Sequence, residues 1–311
     1  MMITKTNDMK FKNLFPKQKL LLVVAVFIFN CAGVTQAQIS TKERNALIDF
    51  YQKTNGKDWE NKWNLEESET TWYGVKIVAN QVVEINLFRN NLTGILPESI
   101  ADLEHLTHLN LAFNGITGVL PKNITQLSKL KALKLEMNRI KGELPNDIGQ
   151  LKSLQELTAF NNFLTGNLPE SIGALKNLKI LNLSSNNLKG DIPNTLGSLH
   201  KLESLGLFEN ALEGSIPSEM GSLSNLRELV LANNQLGGAI PIEIGQLTSL
   251  RILQIQNNKF ESLNGLRQLD QKELLAFDHD GEDFNFDFKN VKKDRSRMAD
   301  TKFDDDDDND K

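Results

Sequence analysis

Apolar and polar positions in this chain follow one another in a fixed order. A representative stretch runs Leu130, Leu133, Leu135, Asn138, Ile140, Gly142, Leu144, Pro145, Ile148, Gly149 and Leu151. Around Leu133 and Leu135 apolar residues alternate with polar ones, the period of a half-buried strand. After Asn138 the pattern predicts a turn carrying Gly142 and Pro145, residues that interrupt regular structure. Ile148 and Leu151, three apart, predict a short helical or 3₁₀ turn.

The same order returns every 24 residues. Pro97, Pro121, Pro145, Pro169, Pro193, Pro217 and Pro241 keep this spacing, and each has a glycine three residues before it, from Gly94 to Gly238. Asn90, Asn114, Asn138, Asn162, Asn186, Asn210, Asn234 and Asn258 hold the same register. A period of this size predicts a solenoid of stacked coils, each adding one strand to a parallel sheet on one side and a tighter segment on the other. A single coil cannot bury its leucine row, whereas stacked coils cover one another at the strand spacing of about 4.8 Å. The asparagine column is expected to point inward and satisfy backbone groups left unpaired at the bend. An unpartnered buried amide costs roughly 1–3 kcal/mol, so the column reads as structural and not catalytic.

The segments Leu188-Lys189-Gly190-Asp191-Ile192-Pro193 and Leu212-Glu213-Gly214-Ser215-Ile216-Pro217 resemble the plant-type leucine-rich repeat. Seven full repeats and a truncated eighth then cover residues 82–265. The resemblance implies an α/β repeat fold, a curved right-handed solenoid with its parallel β-sheet on the concave face. It implies recognition of a protein, peptide or glycan and no catalysis, as in secreted bacterial repeat proteins and the repeat domains of plant receptor-like proteins. An inhibitor of an extracellular hydrolase, by resemblance to the polygalacturonase-inhibiting proteins, is the alternative. A structural or adhesive surface protein is the alternative from another class. Ala101 and Thr125 stand where later repeats carry glycine.

Before the repeats, Ser40-Thr41-Lys42-Glu43 reads as a capping box opening a helix. Leu47, Phe50, Tyr51 and Thr54 follow at helical spacing, and Asn55-Gly56 closes it. Trp59, Trp63 and Trp72-Tyr73-Gly74-Val75 then precede the strand-like Val82-Val83-Glu84-Ile85. Residues 38–81 resemble the N-terminal cap of the same family, with the tryptophans as core plugs. An uncapped end exposes a leucine row.

Lys10, Lys12, Lys17 and Lys19, the apolar run Leu20 to Phe29 and the small residues up to Ala37 predict a secretory leader over residues 1–37, cleaved before Gln38. The apolar run is too short for a membrane span, so no transmembrane segment is expected. Cys31 follows Asn30, which a lipidation motif does not favour, and without the leader the chain has no cysteine. Plant relatives usually staple the cap with a cysteine pair, so the absence points to a bacterial source. The sequons at Asn91, Asn123 and Asn182 carry glycans only along a eukaryotic route. The expected address is secreted or cell-surface, or periplasmic in a bacterium. With the leader's five lysines and one aspartate set aside, 30 basic and 39 acidic residues remain, a net charge of −9. That balance disfavours nucleic acid and anionic membrane as partners.

Past Asn258 the glycine and proline signals stop. Leu263, Leu266 and Leu269 predict a closing coil, and Phe284, Phe286 and Phe288 a short edge strand. Residues 266–311 form a C-terminal cap and a tail ending in Asp304 to Asp308, too charged to bury a core.

Catalytic signatures are missing: no Gly-x-Ser-x-Gly, no His-Glu-x-x-His, no phosphate-binding glycine loop and no Cys-x-x-Cys. His105, His108, His200 and His279 have no matching ligand set, and Asp278 to Asp283 lack the spacing of an EF-hand loop, so no metal or cofactor is expected. The variable strand positions carry the candidate chemistry. One outward column reads Asn86, Asn110, Lys134, Thr158, Asn182, Gly206, Val230 and Gln254, and the next reads Phe88, Ala112, Glu136, Phe160, Ser184, Phe208, Ala232 and Gln256, with Phe113 and Met137 beside it. Phe88, Phe113, Phe160 and Phe208 are the expected anchors, with Asn86, Asn110, Asn182, Lys134 and Glu136 as polar contacts. Rings give contact area and amides give hydrogen bonds.

Overall fold

A computed structural model of the chain describes residues 39–269 and 274–280. The leader with Cys31 and the cleavage point before Gln38, the Phe284–Phe288 strand and the acidic tail lie outside these residues.

Helix α1 (Thr41–Lys53) opens at Ser40, whose hydroxyl accepts from the Glu43 amide while the Glu43 carboxylate accepts from the Ser40 amide. Glu43 also accepts from the backbone N–H of Val82 at 3.0 Å, so one buried carboxylate both caps the helix and ties it to the sheet. Asn55 takes a left-handed conformation (φ 54°) and ends the helix. Next, β1 (Val75–Val78) and β2 (Gln81–Asn86) pair antiparallel. Ala79 and Asn80, both at positive φ, make the two-residue hairpin turn whose twist matches the strands.

From β2 onward each coil adds one parallel strand. Leu109, Leu133, Leu157, Leu181, Leu205, Leu229 and Leu253 lie directly beside one another across the ladder, and all are buried. With β1 at one end and Ala276–Asp278 at the other, the sheet has ten strands among the described residues. This parallel sheet forms the concave side of the solenoid.

Each repeat proline from Pro97 to Pro241 precedes a 3₁₀ turn, as at Glu98–Asp102, Glu170–Ala174 and Ser218–Ser222. The stretch between asparagine and proline departs from the expected turn. Thr93–Ile95, Gly115–Val119, Arg139–Glu143, Phe163–Gly166, Asn187–Asp191 and Ala211–Glu213 form a second sheet, six-stranded among the described residues, whose first five strands run through the glycines. Gly142 sits inside its strand at φ 80°, a conformation in which glycine has no steric penalty. A Cβ there would lie 2.8 Å from the Val119 side chain of the preceding coil, so the missing side chain also lets neighbouring coils close up.

One continuous apolar core runs from Ile39 to Leu274. Trp59, Trp63 and Trp72 plug its first end and are buried, with Trp63 and Trp72 stacked at 4.9 Å. Their indole N–H groups donate to the carbonyls of Thr54, Tyr73 and Asn64 respectively. Arg44 lies over Trp72 and pairs with Glu69. Among the described residues, no helix is long and apolar enough to cross a membrane.

Candidate functional site

The asparagine column forms a hydrogen-bonded ladder. Asn114 Oδ1 accepts from the backbone N–H groups of Asn90 and Leu92, and its Nδ2 donates to the carbonyls of Leu87 and Leu111. Asn138, Asn162, Asn186, Asn210, Asn234 and Asn258 repeat the pattern, each accepting from an amide of the preceding coil. Asn90, the first, turns to the cap and accepts from the N–H of Asn61 at 2.7 Å. Every amide in the ladder is occupied by backbone, which leaves none for a ligand.

The residue before each ladder asparagine is left-handed, including Phe113 (φ 58°) and Met137 (φ 56°). That bend aims Phe113 at the edge of the concave face. There it meets Phe88, with ring centroids 5.2 Å apart and planes at 57°. Both rings are exposed, Phe88 by 47% and Phe113 by 37%.

The other expected anchors are placed differently. Phe160 is half-buried. Phe208 is only 7% exposed and packs with Val230, Ala232 and Ile252, so it is a packing residue and not an open anchor. Asn182, expected as a polar contact, is only 6% exposed because it leans over Gly206. Asn86 is exposed and Asn110 half-buried. Lys134 pairs with Glu156 on the next strand at 2.8 Å, and Glu136 accepts from the Thr158 hydroxyl.

A further outward column was not read from the sequence: Glu84, His108, Ala132, Glu156, Ile180, Ser204, Glu228 and Ile252 stand one residue before the inward leucines. Strand alternation puts both neighbours of an inward residue on the outer face, and that signal was available. Here Ser204 donates to Glu228 at 3.0 Å.

Among the described residues, three buried side-chain atoms have no hydrogen-bond partner: Ser184 Oγ, Gln254 Oε1 and Gln256 Oε1. All three side chains belong to the outward columns of the concave sheet. No group of three or more His, Cys, Asp or Glu is gathered for a metal among the described residues. His279 has its pKa lowered by burial, against the opposing pull of Asp280 and Asp278.

Leucine-rich repeat families match residues 81–103 and 105–164, and a leucine-rich repeat region matches residues 160–272. The chain belongs to the leucine-rich repeat family. This leucine-rich repeat protein is similar to the ectodomain of the receptor kinase GASSHO1/SCHENGEN3 of Arabidopsis thaliana, solved in complex with Casparian strip integrity factor 2. The two share 34% identity at a TM-score of 0.68, over 70% of this chain and 27% of that one. The Arabidopsis receptor kinase HAESA, in complex with the peptide hormone IDA and the co-receptor SERK1, matches at 28% identity and a TM-score of 0.59, over 71% of this chain and 42% of that one. A leucine-rich repeat protein of Leptospira interrogans matches at 38% identity and a TM-score of 0.53, over 63% of this chain and 48% of that one. This chain therefore spans between 27% and 42% of the two plant structures' lengths. A comparison with curated proteins gives no match.

Proposed function

We propose that this protein is an exported, non-enzymatic recognition module that binds a peptide or an extended protein segment on its concave sheet. The observation that carries the reading is the coincidence on one face of an exposed aromatic pair, Phe88 and Phe113, with the three orphaned polar atoms of Ser184, Gln254 and Gln256. A buried polar atom without a partner costs about 1–3 kcal/mol. A ligand that supplies the missing hydrogen bonds recovers that cost on binding. Strand-borne side chains lose little freedom when they engage, which favours affinity. The plant ectodomains similar to this chain were solved with a peptide hormone or a named factor bound, which supports a peptide-sized occupant. Export rests on the leader-like residues 1–37.

The test is selection of a random peptide library on the immobilised full chain, followed by calorimetry with the selected peptides. Phe88→Ala and Phe113→Ala are each expected to cost about 2 kcal/mol, roughly thirtyfold, with the fold unchanged. Equal affinity in both variants and the parent rejects the concave-face assignment. Mass spectrometry of the exported product checks the address: a mass beginning at Gln38 is expected, and retention of residues 1–37 rejects simple secretion.

A further inference from the structure

Gln254 lies on the strand Ile252–Gln254, is 2% exposed, and donates from Nε2 to Asp278 Oδ2 at 3.1 Å on the terminal strand. A carboxylate only accepts at neutral pH, so that contact fixes which end of the amide faces Asp278. Oε1 is then left over, an acceptor without a donor. Two residues on, Gln256 has its Oε1 in the same condition.

Among the described residues neither oxygen has a donor from the other side. Across the ladder Gln254 faces Val230, and Val230, Ala232, Phe208 and Ile252 make a separate apolar cluster on this face. The nearest cation in sequence, Arg251, donates to the carbonyls of Thr248 and Leu250. Apolar ground therefore leads up to two unpaired acceptors with a carboxylate beside them.

We infer that this end of the concave sheet is a specificity subsite for an arginine side chain of the bound peptide. This deepens the proposed concave-face reading and rests on it for the peptide. The aliphatic stem lies along half-buried Ile252, the part of the cluster that reaches the surface, as long basic side chains do over apolar ground; Val230 and Ala232 are fully buried. The guanidinium donates to Gln254 Oε1, Gln256 Oε1 and the Asp278 carboxylate. Acceptors on residues two apart are spread by roughly 6.6 Å of strand. A five-donor planar fork spans such a set, whereas an ammonium places three donors at one point. The positive charge also meets the Asp278 carboxylate, so the charges match. The ligand then has a direction: its arginine sits at the C-terminal end of the sheet and its apolar residue at Phe88 and Phe113.

Nitrogen-15 NMR of the full chain, titrated with N-acetyl-arginine amide, N-acetyl-lysine amide and the neutral N-acetyl-citrulline amide, tests this. Saturable shifts at Gln254, Gln256 and Asp278 are expected with the arginine probe, about tenfold tighter than with citrulline because the donor is charged. Gln254→Leu and the more exposed Gln256→Ala are each expected to weaken the arginine probe several-fold. The second variant guards against a packing defect in the first. Absent shifts, equal binding of citrulline, or unchanged binding in both variants overturns the subsite. A selected peptide that loses affinity with Phe88→Ala but not with Gln254→Leu overturns it and keeps the concave-face reading. Arginine-probe binding without any concave-face peptide supports the subsite and rejects that reading.

Discussion

The side chain of Asn182 occupies the space that Gly206 leaves open: a Cβ on Gly206 would stand 2.7 Å from Asn182 Oδ1 and 3.0 Å from Ser184 Oγ. Asn182 Oδ1 accepts from the Ser184 backbone N–H, so the missing side chain on one strand fixes an amide on the strand before it. Gly206→Ala pushes Asn182 off this position. The lost hydrogen bond costs about 1 kcal/mol, and the stiffer unfolded chain returns roughly 0.4–1 kcal/mol. Stability is therefore expected to stay within about 1 kcal/mol of the parent by urea unfolding. Amide exchange at Ser184 is expected to speed up, and unchanged exchange contradicts the relationship.

Phe208 and Phe88 occupy the same column but different environments. Phe208→Ala opens a gap beside Val230 and Ala232 and is expected to destabilise by about 3 kcal/mol, near the low end for buried phenylalanines because its cluster is small. Phe88→Ala removes an exposed ring and is expected to change stability by less than about 0.5 kcal/mol. Denaturant unfolding of the two variants compares them directly, and equal effects contradict the assigned burial.

The ladder asparagines are expected to be costly to remove. Asn162→Ala leaves the Ile140 N–H without its acceptor and takes one donor from the carbonyls of Leu135 and Ala159, which keep Asn138 and Asn186 as donors respectively. With one N–H orphaned at roughly 1–3 kcal/mol, a loss of about 1–3 kcal/mol is expected. A melting temperature equal to the parent's shows that the ladder is dispensable.

Burial lowers the pKa of His279 below its ordinary 6.5. The folded state then resists protonation more than the unfolded chain does. Its contribution to stability is full above pH 6.5 and is lost as pH falls through 6.5 toward the lowered folded value. Hydrogen exchange of Ala276 and Phe277 is expected to speed up, relative to the intrinsic rate, as the pH drops from 7 to 5.5. His279→Gln is expected to flatten that dependence, and an NMR titration midpoint above 6.5 reverses the sign.

Much of this architecture was legible from local pattern. The 24-residue period, the alternation around Leu133 and Leu135 and the capping box at Ser40 and Glu43 are short-range features, and each is answered within one coil or between adjacent coils. Asn114 and its counterparts were readable for the same reason, since one position repeated in register implies one repeated bond. The stretch through Gly142 was misread as a turn because glycine and proline break isolated strands. Here the glycine's positive φ lets the chain carry a second sheet once a neighbouring coil lies against it.

Exposure on the concave face was decided by tertiary structure alone. The period determines which residues point outward but not how one repeat's side chain meets the next. Phe88 stays open beside Phe113, whereas Phe208 is buried among Val230, Ala232 and Ile252. Glu43 reaching Val82 and Asn182 leaning over Gly206 are likewise contacts between residues far apart in sequence. The repeat itself, by the stacking that buries a leucine row no coil can bury alone, was the sequence's own to determine. The character of each point on its surface came from the particular neighbours that stacking brought together.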